Sequence, residues 1–287
     1  MQPFELLQPR TLEDALDRLA DDEEARPLAG GTALVVLMKH ALLRPERLVN
    51  LKRIPALQGI DWSSETGLRI GALTTIREVE QHQAVRTWFP ALAEACHVVA
   101  NVRIRNLATL GGNLAHADYQ SDPPAMLIAL GARVRIRSVS GEREEPLETF
   151  LVSGYQTTLE PGELVTDILV PPPTAGRRMQ YLKFTTRSAE DRPCVGVAVS
   201  LGLEGTACRD LRVVVGAVSS TPVRVAEGEE LATGKVLTPD LIDEIAGRAA
   251  SAVDPIGDVR GSPEYKRRLV QVLVRRSLLG SVTEVSA

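Results

Sequence analysis

Three consecutive prolines, Pro171-Pro172-Pro173, do most to limit how this 287-residue chain can fold. Proline has a fixed φ and no backbone N–H, so the run can neither continue a helix nor lie inside a sheet. With the Thr-Ala-Gly-Arg-Arg that follows, it reads as a linker. The hydrophobic pattern changes across it: helix-like and strand-like segments alternate before it, while strands come first and helices last after it. The spacing therefore predicts an α+β chain of three units, at 1–53, 54–173 and 177–287.

In the first unit Thr11 caps a helix that places Leu12, Ala15, Leu16 and Leu19 on one face, and Asp14 makes a capping-box variant. A short strand near 27–29 leads into a helix over 33–43, and Leu48-Val49-Asn50-Leu51 is strand-like. The second unit holds a strand in GLRIGAL, a helical stretch over 75–99 interrupted at Pro90, and a proline-started helix in PPAMLIAL. ARVRIRSVSG then alternates, with Val134 and Ile136 on one face and Arg133, Arg135 and Arg137 on the other. The third unit shows three strand-like runs, YLKFTTR, CVGVAVSLGL and LRVVVGAVSS, then helices in DLIDEIAGRAASAV and PEYKRRLVQVLVRRSLL. A three-stranded antiparallel sheet with helices is expected. On the last helix Tyr265, Leu269, Val272 and Leu273 read as buried. Lys266, Arg267, Arg268, Arg275 and Arg276 read as a solvated face.

A formal net charge of -4 and 3% aromatic residues argue against nucleic acid as a partner. No apolar run reaches the ~20 residues of a membrane span, and the opening MQPFELLQPR resembles no signal peptide, so a cytoplasmic protein is expected. Cys96, Cys194 and Cys208 are scattered and odd in number, which fits neither a disulfide framework nor a cysteine metal site. His40, His82, His97 and His116 show no ligand spacing, so no metal is expected on this chain.

Two glycine turns stand out. Pro27-Leu28-Ala29-Gly30-Gly31-Thr32-Ala33-Leu34 runs from strand to helix through two glycines, and such a turn can present backbone N–H groups to a phosphate. An ordinary tight turn with Thr32 as helix cap fits equally well. Thr109-Leu110-Gly111-Gly112-Asn113 repeats the dipeptide, and Thr109, Asn113 and His116 supply hydrogen-bonding groups. Asp122 could accept from sugar or ribityl hydroxyls, or cap the helix that begins at Pro123-Pro124; the two roles are compatible. Neither turn is a G-x-G-x-x-G or Walker A sequence, and there is no G-x-S-x-G, so no catalytic residue is assigned.

Taken in order, PLAGGTALVVLMK, RNLATLGGNLAHADYQSDPPAMLIALGARV, KFTTR with VGVAVSL, and GSPEYKRRLVQVLVRRSL resemble one family along essentially the whole chain. It is the medium, FAD-binding subunit of molybdenum hydroxylases, the xanthine, carbon monoxide and nicotine dehydrogenase family. The resemblance implies the vanillyl-alcohol-oxidase-type (PCMH) fold, with FAD between two N-terminal α/β subdomains and a C-terminal domain of the flavoprotein type. It implies an electron-transfer role, with the molybdopterin cofactor on a large subunit and two [2Fe–2S] clusters on a small one. A dimer of heterotrimers is the implied assembly.

By the same resemblance 27–34 is the pyrophosphate loop and 109–113 the second FAD loop, with His116 adding a polar contact. Asp122 matches a carboxylate facing ribityl or ribose hydroxyls, and Val165 an apolar position near the flavin. Lys183 and Phe184 match a strand close to the ring, where a cation stabilises reduced flavin; an ordinary exposed strand lysine is the other reading. Thr32-Ala33 departs from the His-Ser of carbon-monoxide-oxidising members, and three scattered cysteines cannot form the extra cluster of benzoyl-CoA-type relatives. The alternatives are a stand-alone FAD-dependent oxidoreductase with its own substrate pocket and a scaffold subunit that has lost FAD.

Overall fold

The computed structural model describes residues 2–283. The first unit comprises β1 (Glu5–Leu7), α1 (Leu12–Ala20), β2 (Arg26–Leu28), α2 (Leu34–Lys39) and β3 (Arg47–Asn50). Its strands form a parallel sheet in the order β1-β3-β2. Thr11 caps α1 by accepting from the Asp14 amide, and Leu12, Ala15, Leu16 and Leu19 are buried, as the helical period requires. The helix expected over 33–43 stops at Lys39, because Ala41 turns the chain at φ 56°.

The second unit contains β4 (Ile60–Ser63), β5 (Gly67–Gly71), α3 (Ile76–Gln81), α4 (Gln83–Trp88), α5 (Pro90–His97), α6 (Val102–Arg105), α7 (Leu110–His116) and α8 (Pro123–Ala129). It continues through β6 (Arg133–Ser138), β7 (Gly141–Pro146), α9 (Leu147–Phe150), β8 (Leu151–Ser153), β9 (Gln156–Thr157) and β10 (Leu164–Val170). The main sheet is antiparallel in the order β4-β5-β10-β6-β7. The stretch expected as one interrupted helix is three helices, broken at His82 and Phe89, whose backbones leave the helical region. Pro90 opens α5 instead of kinking it, since its missing N–H would be unpaired there anyway. On β6, Val134 and Ile136 are fully buried, while Arg135 on the other face pairs with Glu144 of β7 at 2.7 Å.

The third unit comprises β11 (Arg178–Phe184), β12 (Val195–Glu204), β13 (Ala207–Gly216), β14 (Val223–Arg224), α10 (Ala226–Ala232), α11 (Pro239–Ala252) and α12 (Pro263–Thr283). The antiparallel sheet has four strands in the order β11-β12-β13-β14, not the three expected. The addition, β14, is two residues long, too short to carry a period. One sheet face receives α10 and α12, and the other packs on α8 and α5. Tyr181, Ala198 and Val214 consequently belong to the second unit's core.

The phase of α12 differs from the expectation. Lys266, Val270, Leu273, Val274, Ser277 and Leu278 are buried at helical spacing, whereas Tyr265 and Val272 are 42% and 43% exposed. Lys266 is the inward residue because its ammonium donates to Ile256 O at 2.8 Å and pairs with Asp258 at 3.1 Å. Among the described residues no helix is long and apolar enough to cross a membrane.

Candidate functional site

A cleft of about 340 Å³ opens where the first unit meets the second. Pro27, Ala29, Gly30, Gly31, Thr32, Ala33 and Leu34 line it from the first glycine turn. Thr109, Gly111, Gly112, Asn113 and His116 line it from the second. Val165 joins Leu51, Leu57, Leu73 and Leu164 in an apolar bay beside them. Leu28 and Leu110 are not lining residues, and Leu110 is wholly buried in the core.

The first turn leaves β2 after Leu28 and enters α2 at Leu34. Gly31 takes φ +76°, a left-handed conformation that side-chain-bearing residues avoid. Gly30 serves close packing: a Cβ there would lie 2.2 Å from Leu107 O, on the segment leading into the second turn. Thr32 is not the helix cap; Ala33 occupies that position and makes no side-chain cap bond. Among the described residues, the amides of Gly30, Gly31, Thr32 and Ala33 have no backbone or side-chain acceptor. Four successive free N–H groups beside a cleft form a cradle for an anion.

The second turn is built differently. The amides of Leu110 and Gly111 donate to Thr74 O and Ala72 O, each at 2.9 Å. The amide of Gly112 donates to Thr109 Oγ1 at 3.2 Å, and that of Asn113 to Thr109 O at 2.9 Å. Its backbone donors are spent on α7 and on the segment after β5, so this turn acts as a wall. A Cβ at Gly111 would come within 2.4 Å of the Ala72 side chain and 2.7 Å of its backbone, which is why glycine stands there. The polar groups offered to the cleft are side chains. Asn113 accepts from Ser121 Oγ at 2.8 Å through its carbonyl, leaving its NH₂ for a ligand. Burial holds the His116 imidazole below its usual range, which favours its neutral form.

Asp122, Lys183 and Phe184 lie outside the lining. Asp122 does not cap α8; its backbone is helical and it makes no cap bond. It accepts instead from Tyr181 Oη at 2.8 Å and pairs with Lys183 Nζ at 3.1 Å, and both charged side chains are almost fully buried. Burial pushes the Asp122 carboxyl up to about 6, against the pull of Lys183 and the Tyr181 hydroxyl. Lys183 also donates to Val98 O at 2.7 Å, so it is no exposed strand lysine. Phe184, the next residue on β11, packs against the third unit's core.

Sequence reasoning missed the apolar bay, because Leu51, Leu57, Leu73 and Leu164 carry the same pattern as core residues. It also missed Glu163, a lining carboxylate that Arg143 holds ionised at 2.7 Å. A bulge in β10 between Val165 and Asp167 brings that strand to the bay, and single-strand periodicity does not reveal a bulge. The lining offers an anion cradle, an apolar bay and neutral hydrogen-bonding groups, and it joins no nucleophile to a base. This is equipment for holding a large, partly anionic cofactor. Among the described residues no cluster of three His, Cys, Asp or Glu could hold a metal.

Residues 2–173 match the FAD binding domain in molybdopterin dehydrogenase, and residues 180–281 the CO dehydrogenase flavoprotein C-terminal domain. The glyceraldehyde dehydrogenase medium chain of Sulfolobus acidocaldarius is 33% identical, covering 96% of both chains. The nicotine 6-hydroxylase medium subunit of Paenarthrobacter nicotinovorans is 33% identical over 94% of each. A chain of carbon monoxide dehydrogenase from Hydrogenophaga pseudoflava superposes with a TM-score of 0.94 at 32% identity, covering 98% of this chain and 97% of that one. An amide cradle beside an apolar bay, in a chain matched end to end by these proteins, makes this protein a member of the FAD-binding medium subunits of the molybdenum hydroxylase family.

Proposed function

We propose that the chain holds FAD in the cleft between the two glycine turns and relays electrons within a heterotrimer. The observation that carries the assignment is the row of free amides from Gly30 to Ala33. Their partial positive charges suit a pyrophosphate, and the bay around Val165, Leu57 and Leu73 suits a flat ring system. Asn113 and His116 supply neutral polar contacts to hydroxyls or ring edges. When bound, FAD supplies a redox centre able to accept electrons singly and deliver them as a pair. The protein's share is to bind, orient and set the local field. The Asp122–Lys183 pair, buried just outside the lining, is assigned a positioning role: it ties the segment after α7 to β11.

The partners in this reading are a large molybdopterin subunit and a small subunit with two [2Fe–2S] clusters, arranged as a dimer of heterotrimers. Substrate hydroxylation belongs to the large subunit. The three thiols, free and buried, are compatible with a cytoplasmic enzyme. The division at 53 and at 173–177 separates the two FAD subdomains from the C-terminal domain. Affinity purification from native cells, with an absorption spectrum and mass identification of the co-purifying chains, tests the proposal. A flavin spectrum with both partner types is expected. Flavin without partners and with substrate turnover would favour the stand-alone oxidoreductase, and neither flavin nor partners would defeat the assignment.

A further inference from the structure

A second cavity, again of about 340 Å³, lies at the C-terminal end of α8, between the triple proline and the third unit's sheet. Its charged lining is three arginines, Arg177, Arg212 and Arg224, against one carboxylate, Asp210. Two of the arginines are already matched. Arg177 forms an ion pair with Asp210, and Arg224 pairs with Glu229 at 2.7 Å. Arg212 has no carboxylate partner among the described residues. Among the described residues its side chain makes one hydrogen bond, a long 3.4 Å approach to Ile128 O, a carbonyl that the amides of Leu130 and Gly131 already engage.

Two local features hold Arg212 there. Gly131 takes φ +74°, and with no Cβ it lets the guanidinium lie close: a Cβ there would be 2.6 Å from Nη1. Ser200, directly opposite Arg212 on β12, has a fully buried hydroxyl that accepts from Arg177 at 2.8 Å, leaving its own proton to donate. A guanidinium with most of its five donors unused, beside a buried hydroxyl and a cavity, is equipped for an oxyanion. Leu130, Met179 and the prolines give the same cavity apolar walls.

We propose that this cavity binds a small organic anion, with a carboxylate or phosphate head on Arg212 and Ser200 and an apolar body against Met179 and the prolines. A ligand there touches both sides of the linker and stabilises their association by mass action. The site shares no residue with the FAD cleft and does not depend on that assignment.

The test is calorimetric titration of the FAD-saturated full chain with inorganic phosphate and with benzoate, at constant ionic strength. FAD absorbance is recorded separately, so failure to hold flavin is distinguished from failure of this site. Saturable binding of at least one probe is expected, weakened about tenfold or more by Arg212→Gln. Preference for benzoate assigns a carboxylate head, and preference for phosphate a phosphoryl head. If Arg212→Gln does not fold, Arg212→Lys keeps the charge but loses the fork and should still bind measurably more weakly. Absence of saturable binding by either probe, or unchanged affinity in the folded variant, overturns the proposal.

Discussion

Replacing Gly30 with alanine tests how the cleft is organised. The new Cβ would lie 2.2 Å from Leu107 O and 2.9 Å from both Leu107 C and Ala108 Cα, all backbone atoms that no rotamer change can move. Restoring an ordinary contact requires the two turns to separate by roughly 1 Å, and overpacking of this kind costs about 1–3 kcal/mol. For a chain of this size that is a fall in Tm of roughly 2–5 °C. The same shift would carry cradle amides out of hydrogen-bond range of a bound phosphate. Losing one charge-assisted bond costs about 1.5–3 kcal/mol, or roughly 10- to 150-fold in affinity. Quenching of flavin fluorescence on titrating apoprotein with FAD reads the affinity, and a thermal melt reads the stability. Gly31→Ala is the comparison: its nearest contact is the movable Leu28 side chain at 3.1 Å, and its cost is the left-handed φ of +76°, about 1–2 kcal/mol. Wild-type FAD affinity and Tm in Gly30→Ala would refute the argument that turn-to-turn contact sets the cradle.

Other outcomes follow from the buried charges and caps. Lys183→Met leaves Asp122 buried without its counter-charge and should cost about 3–5 kcal/mol by denaturant unfolding. Because burial raises the Asp122 carboxyl from 3.8 to about 6 in the folded chain, its contribution to stability is full below 3.8 and lost as pH rises to about 6. Asp122→Asn should flatten that part of the stability profile, and an unchanged slope would assign the titration to another group. Thr109→Ala removes the cap bond to the Gly112 amide and should lower stability by about 1 kcal/mol, visible in a melt.

Much of this architecture is legible in local pattern. The period of α1 and the alternation of β6 each arise from residues adjacent in sequence. What escaped depends on distant partners. Asp122 precedes two prolines, a local signal for a helix cap, yet it is claimed by Tyr181 and Lys183 of another unit. Lys266 sits where charge patterning suggests a solvated face, but Asp258 and Ile256 O make its burial affordable and fix the phase of α12. The glycine turns were recognisable as turns, though their glycines divide the labour in a way no dipeptide reveals. Gly31 supplies a left-handed backbone, while Gly30 and Gly111 allow close packing.

The shared core has a consequence for dissecting this protein. The triple proline invites a cut that would yield a free-standing flavin module. Such a fragment would lose Tyr181, Ala198 and Val214 from its interior and strip the covering sheet from α8. It would also leave Asp122 without Lys183. The border seen along the chain is therefore no border in its stability, and the flavin-binding half should be insoluble or molten unless the last hundred or so residues are supplied in trans.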